Sequence, residues 1–70
     1  MVKKGFVLSV NDPEPKEYIV IDRLDDFAHG EGGWLLAEKG SPLECWRVND
    51  KYLEIQIQRG VIEIVKQNED

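Results

Sequence analysis

Seventy residues and 8.1 kDa leave room for one domain, residues 1–66 with a polar tail at 67–70, and exclude multidomain enzymes and large substrate clefts. Charged residues at 33% and hydrophobic residues at 41% suit a folded chain rather than a disordered one, even at a mean hydropathy of -0.44. Fourteen acids against nine bases give a net charge of -5, which opposes sequence-independent attraction to a phosphate backbone. No apolar run approaches the ~18 residues of a membrane span and no leader-like series opens the chain, so a cytoplasmic protein is expected. Cys45 is the only cysteine, which leaves the fold to its hydrophobic core rather than to disulfides.

Composition favours strands. Valine and isoleucine fill 13 positions, alanine only two, and no long stretch keeps helical apolar spacing clear of a glycine or proline. In chain order, Gly5 to Val10 alternates Phe6, Leu8 and Val10 against Val7 and Ser9, and Asn11-Asp12-Pro13-Glu14-Pro15 ends it as a loop. A second strand is predicted over Lys16 to Leu24, with Ile19 and Ile21 toward the core and Tyr18, Val20 and Asp22 on the other side. From Asp25 to Gly33, acids and three glycines predict a mobile loop, with room for one helical turn at Leu24 to Ala28. Trp34 to Lys39 and Leu43 to Val48 read as a hairpin around Gly40-Ser41-Pro42.

The strict alternation of Leu53, Ile55 and Ile57 with Tyr52, Glu54, Gln56 and Gln58 predicts a strand buried on one face. Arg59-Gly60 then serves as a tight turn into a last strand over Val61 to Lys66, with Ile62 and Ile64 inward. Five or six short strands in so short a chain are best satisfied by a small closed or nearly closed barrel, because an open sheet would leave one apolar face and two edges exposed. Phe6, Leu8, Ile19, Ile21, Leu53, Ile55, Ile57, Ile62 and Ile64 form its expected core.

Lys3-Lys4-Gly5-Phe6-Val7-Leu8 resembles the first strand of many SH3-like barrels, and Asn49-Asp50-Lys51-Tyr52-Leu53-Glu54 is similar to the short turn before the final strand of SH3 folds. The resemblance implies an all-β, five- or six-stranded SH3-like barrel. It does not imply a polyproline ligand, because the chain lacks a Tyr-x-Tyr element, adjacent tryptophans and a proline before Tyr52. The fold alone assigns no activity.

No catalytic residues, metal ligands or cofactors are expected. Cys45 lies beside Glu44, which disfavours a thiolate; His29 with Asp25, Asp26 and Glu31 lacks any zinc or calcium spacing; and Gly30-Glu31-Gly32-Gly33 lacks the lysine of a phosphate loop. Carboxylate pairs drawn from Asp22, Asp25 and Asp26 have little cleft in which to separate their pKa values. Surface recognition remains. A small non-enzymatic protein-binding or regulatory module is expected, using Asp25, Asp26, Phe27, His29, Glu31, Trp34, Trp46 and Tyr52 against a protein partner with a basic or apolar surface. In that reading Phe27, Trp34, Trp46 and Tyr52 line one groove, and the competing use of both tryptophans is to close the core. The alternative is a nucleic-acid-associated barrel that uses Lys3, Lys4, Arg47, Lys51 and Arg59, although bases scattered among 14 acids favour the protein partner.

Overall fold

Strand β1 (Val7–Asn11) lies between two antiparallel partners, β2 (Pro15–Ala28) and β5 (Ile62–Lys66), in a computed structural model that describes residues 2–11, 13–28 and 30–67. Of Phe27, Ala28, Pro42 and Leu43 it describes the backbone only, and His29 and most of the polar tail fall outside the described residues. Strand β2 pairs on its other side with β3 (Glu31–Glu38), and β3 with β4 (Ser41–Asn49), giving the order β4-β3-β2-β1-β5. Asn11 pairs with Pro15 across the tight first connection, and Pro15 stands at the start of its strand, where a missing N–H is tolerated.

The protein is all-β apart from one short helix, and its five-stranded antiparallel sheet is not closed, where a closed or nearly closed barrel was expected. Strands β4 and β5 are its edges, and no ladder joins them among the described residues. The expected strand over Tyr52 to Gln58 is helix α1 (Asp50–Gln58), which links one edge to the other and packs on β3, β4 and β5. The expected hairpin around Gly60 therefore does not form.

Both ends of α1 are written in side chains. Asn49 has extended backbone geometry, and its side-chain oxygen accepts the Tyr52 N–H at 2.6 Å, so it serves as the N-cap. At the other end the Gly60 N–H donates to the Ile57 carbonyl at 3.1 Å and the Val61 N–H to the Gln56 carbonyl at 3.0 Å. These are the two bonds of a Schellman motif, and they require a left-handed residue after the cap; Gly60 supplies it at a φ of +80°. Helical geometry also re-sorts the apolar residues. Leu53 and Ile57, four apart, share the inward side, with Leu53 3% exposed, whereas Ile55 lies some 200° around from each and is 46% exposed. The expected burial of Ile55 is thus corrected.

Strand β2 needs a second correction. Leu8 and Tyr18 are cross-strand partners on the inner face, as are Val20 and Leu36, so Val20 is in the core and Ile19 faces outward. A bulge between Val20 and Asp22 takes up Ile21, which is half-buried outside the core cluster. The core consists of Val2, Phe6, Leu8, Val20, Leu36, Val48, Leu53 and Ile62, against which Ile57, Ile64, Trp34 and Trp46 pack. The segment expected as a mobile loop with a helical turn is also strand: β2 runs to Ala28, Ala28 pairs with Glu31, and the chain reverses at Gly30.

Leu53→Ala is expected to cost about 2–5 kcal/mol through lost transfer energy and the cavity left behind. Ile55→Ala should stay within about 0.5 kcal/mol of the parent, since it removes exposed surface and introduces a better helix former. Chemical denaturation of the two variants side by side separates helix from strand, because a strand would make both substitutions costly.

Candidate functional site

Helix α1 stands between two surface hollows. Residues 50, 54 and 58 recur at helical spacing on one flank, and Tyr52, some 200° around from Glu54, faces the other. The first hollow, of about 640 Å³, has an apolar floor of Trp34, Leu53, Ile57 and Ile64, with Asp50 and Glu54 at its margin. The second, of about 370 Å³, is bordered by Tyr18, Trp46 and Tyr52.

In the first hollow the sheet and the helix meet through Arg23. Its guanidinium lies 4.7 Å from the centroid of the Trp34 ring, and its Nη1 and Nη2 donate to the two Asp50 carboxylate oxygens at 2.6 and 2.9 Å. The fork fits the carboxylate at both oxygens, and the cation faces the electron-rich ring, so one side chain joins β2, β3 and the first turn of α1. Asp25 adds a looser contact, with its Oδ1 3.9 Å from Arg23 Nε. The hydrogen bonds from Arg23 hold the Asp50 carboxyl below its ordinary value of 3.8, and the same pairing raises the Arg23 pKa further. Gly32 makes this geometry possible, because a Cβ there would collide with the end of the Arg23 side chain.

The second hollow is built from rings. Tyr18 and Trp46 are 5.7 Å apart between centroids and tilted by 56°, and Trp46 meets Tyr52 edge to face at 6.2 Å. Trp46 is half-buried and Tyr52 is 42% exposed. This cluster closes the core beside α1 where β4 has no further strand.

The structure thus divides the expected site. Asp25 and Trp34 are brought together by Arg23, while Trp46 and Tyr52 lie on the opposite flank of the helix, so the single groove expected for both tryptophans is two. Asp26 and Glu31 are exposed on β2 and β3. Phe27 is on β2 with its side chain outside the description, and His29 lies outside the described residues. Arg23, Asp50 and Glu54 were not among the expected site residues. The usable signal for Asp50 was its place just after an N-cap, where a carboxylate is favoured; for Arg23 there was none, since its partner is 27 positions away.

Of the five bases in the nucleic-acid alternative, Arg47 is on β4, Lys51 in the first turn of α1, Arg59 at the end of that helix, and Lys3 and Lys4 precede β1. Among the described residues no group of three His, Cys, Asp or Glu side chains could hold a metal ion, and no helix is long and apolar enough to cross a membrane. No protein-family model, no curated protein and no solved structure matches this chain.

The depressed Asp50 pKa has a signed consequence. Because the unfolded carboxyl titrates at the higher value, the contribution of the pair is complete above about pH 4 and is lost as pH falls through the folded pKa. Thermal midpoints measured from pH 6 down to pH 2 should fall more steeply for the parent than for Asp50→Asn, and the two curves should converge at the acid end. Gly32→Ala should displace the Arg23 guanidinium and shift the Trp34 indole resonance while leaving the Trp46 resonance in place.

Proposed function

We propose that this chain is a small non-enzymatic protein-binding module of SH3-like build, and that the hollow beside Trp34 receives a segment of another protein carrying apolar and basic side chains. The SH3-like reading is supported by the strand order and by the helix standing where the resemblance expects a short turn before the final strand. The single observation that supports the binding site is the composition of the hollow: an apolar floor with Asp50 and Glu54 at its margin, on an acidic chain.

The physical logic has two parts. Trp34, Ile57 and Ile64 offer apolar area already ordered by the core, so covering it incurs little side-chain entropy cost. At its margin Glu54 is exposed, with no ion pair among the described residues, and Asp25, 96% exposed, stands nearby in its looser contact with Arg23. A partner cation thus meets Glu54, a carboxylate not already held as Asp50 is by Arg23. Charge complementarity of this kind speeds encounter and rejects acidic partners.

The test uses two nine-residue peptides with the same leucine and tryptophan content, one carrying arginines and the other glutamates, titrated into isotopically labelled protein. The arginine peptide should move the Trp34 indole and the amides of residues 50–58, the glutamate peptide should not, and Glu54→Lys should weaken the binding by about threefold or more. Equal binding of both peptides, or shifts confined to the Trp46 flank, would overturn the site. Salt-sensitive retention of a short DNA duplex by the same protein would overturn the class of partner.

A further inference from the structure

The Trp34 hollow already contains a ligand of the chain's own. Arg23 and Trp34 are cross-strand partners on β2 and β3, so the Arg23 side chain leaves the sheet on the helix side, beside the indole. Two groups held by other elements receive its guanidinium there. Trp34 packs against the core and presents its ring at 4.7 Å, and Asp50, in the first turn of α1 behind the Asn49 cap, accepts from both Nη atoms on its two carboxylate oxygens. Gly32 leaves the room: a Cβ there would collide with Arg23 Nη2 and stand 3.1 Å from Asp50 Oδ2. A ring face, a fork-accepting carboxylate and a cleared backbone together match a planar guanidinium, and all three stand on β3 or α1 rather than on the strand that carries Arg23.

We infer that Trp34, Asp50 and Gly32 form a guanidinium-binding seat that Arg23 occupies in cis, and that an arginine of the partner takes the seat by displacing it. The inference rests on the reading of this hollow as the binding site. Arg23 and Asp50 side chains are 38% and 44% exposed, so their pair stands partly in water, where an ion pair holds weakly and a competing cation has access. Displacement does not strand Arg23. Its Nε already lies 3.9 Å from Asp25 Oδ1, so the released side chain keeps a carboxylate on its own strand. A tethered side chain competes at high effective concentration, and a bare cation therefore loses to it. A partner that brings apolar groups beside its arginine gains in addition the floor of Leu53, Ile57 and Ile64. Arg23 thereby acts as a specificity-determining residue, which makes the hollow answer to arginine and apolar groups together and not to a basic surface alone. Arginine is favoured over lysine, because an ammonium is a point charge that uses neither the fork nor the flat stacking. If Arg23 holds the seat for about nine tenths of the time, the apparent affinity for the partner is lowered about tenfold.

The test vacates the seat. Ethylguanidinium, too small to cover the floor, is titrated to millimolar concentrations into isotopically labelled protein. It should shift the Trp34 indole resonance in Arg23→Ala and leave it unmoved both in the parent and in Arg23→Ala combined with Gly32→Ala, where the added Cβ fills the seat. The Trp46 resonance is the control in all three. The nine-residue arginine peptide should bind Arg23→Ala about tenfold tighter than the parent, and a lysine version of it should gain about threefold or less. Should Arg23→Ala fail to fold, Arg23→Thr, of higher strand propensity, serves in its place. A Trp34 resonance that ethylguanidinium does not move in Arg23→Ala would overturn the inference, as would equal gains for the two peptides, which loss of one positive charge produces by itself. An ethylguanidinium response without binding of either peptide upholds the seat and overturns the reading of the hollow as a partner site, whereas an arginine peptide bound equally by parent and variant upholds that reading and overturns the inference.

Discussion

Everything in this structure depends on what covers the inner face of the sheet. Five strands that leave β4 and β5 unpaired with each other expose Leu8, Val20, Leu36, Val48 and Ile62 on one side, and only the chain between those two edges is available to cover them. Helix α1 does so by lowering Leu53 and Ile57 onto that surface, and two local devices fix where it runs. Asn49 begins the helix at the end of β4, and Gly60 ends it two residues before β5. The same crossing creates the two hollows, because a helix narrower than the sheet beneath it leaves a margin on either side. Trp34 is left at one margin and Trp46 at the other.

How much of this was legible in the sequence follows from the type of signal each element carries. The first strand, the proline turn and the hairpin of β3 and β4 were legible because punctuation and alternation agree there. Segment 50–58 was misread because Leu53, Ile55 and Ile57 satisfy two periods at once: every second residue for a strand, and a pair four apart for a helix. The deciding information lay at the ends, where an asparagine cap and a glycine eleven positions later bracket a helix as well as they bracket a hairpin. In β2 the residues 18–21 are apolar on both sides, so alternation carries no direction. The face was decided by the register with β1, which no local pattern encodes.

The candidate site was legible only in part, for a related reason. Aromatic residues and acids are visible as residue types, but their grouping depends on the helix that was not foreseen. Glycines 30, 32 and 33 looked like a flexible loop, yet they serve three separate ends: a reversal at Gly30, clearance for Arg23 at Gly32, and a buried pairing position at Gly33. Glycine content therefore reported steric demand rather than motion in this hairpin. The Arg23 to Asp50 pair is a contact of high sequence separation and was out of reach of spacing arguments altogether.

The two faces of the sheet divide the chemistry of so small a protein. On the helix side, the Trp34 hollow carries Asp50 and Glu54, and its guanidinium, Arg23, is already held by Asp50 and Trp34. On the outer side, Val7 and Ala37 are buried, Ile19 and Leu35 are half-buried, and Glu17, Asp22, Glu31 and Glu63 share the face with them. An open sheet carries a risk at its two edges, where unpaired backbone groups can template pairing with another chain. Charges on the edge strands limit that risk: Arg47 and Glu44 on β4, and Glu63 and Lys66 on β5, disfavour edge-to-edge pairing without protecting the face itself. The two edges left by the open sheet are thus guarded by charge, while its inner face is guarded by the helix that joins them.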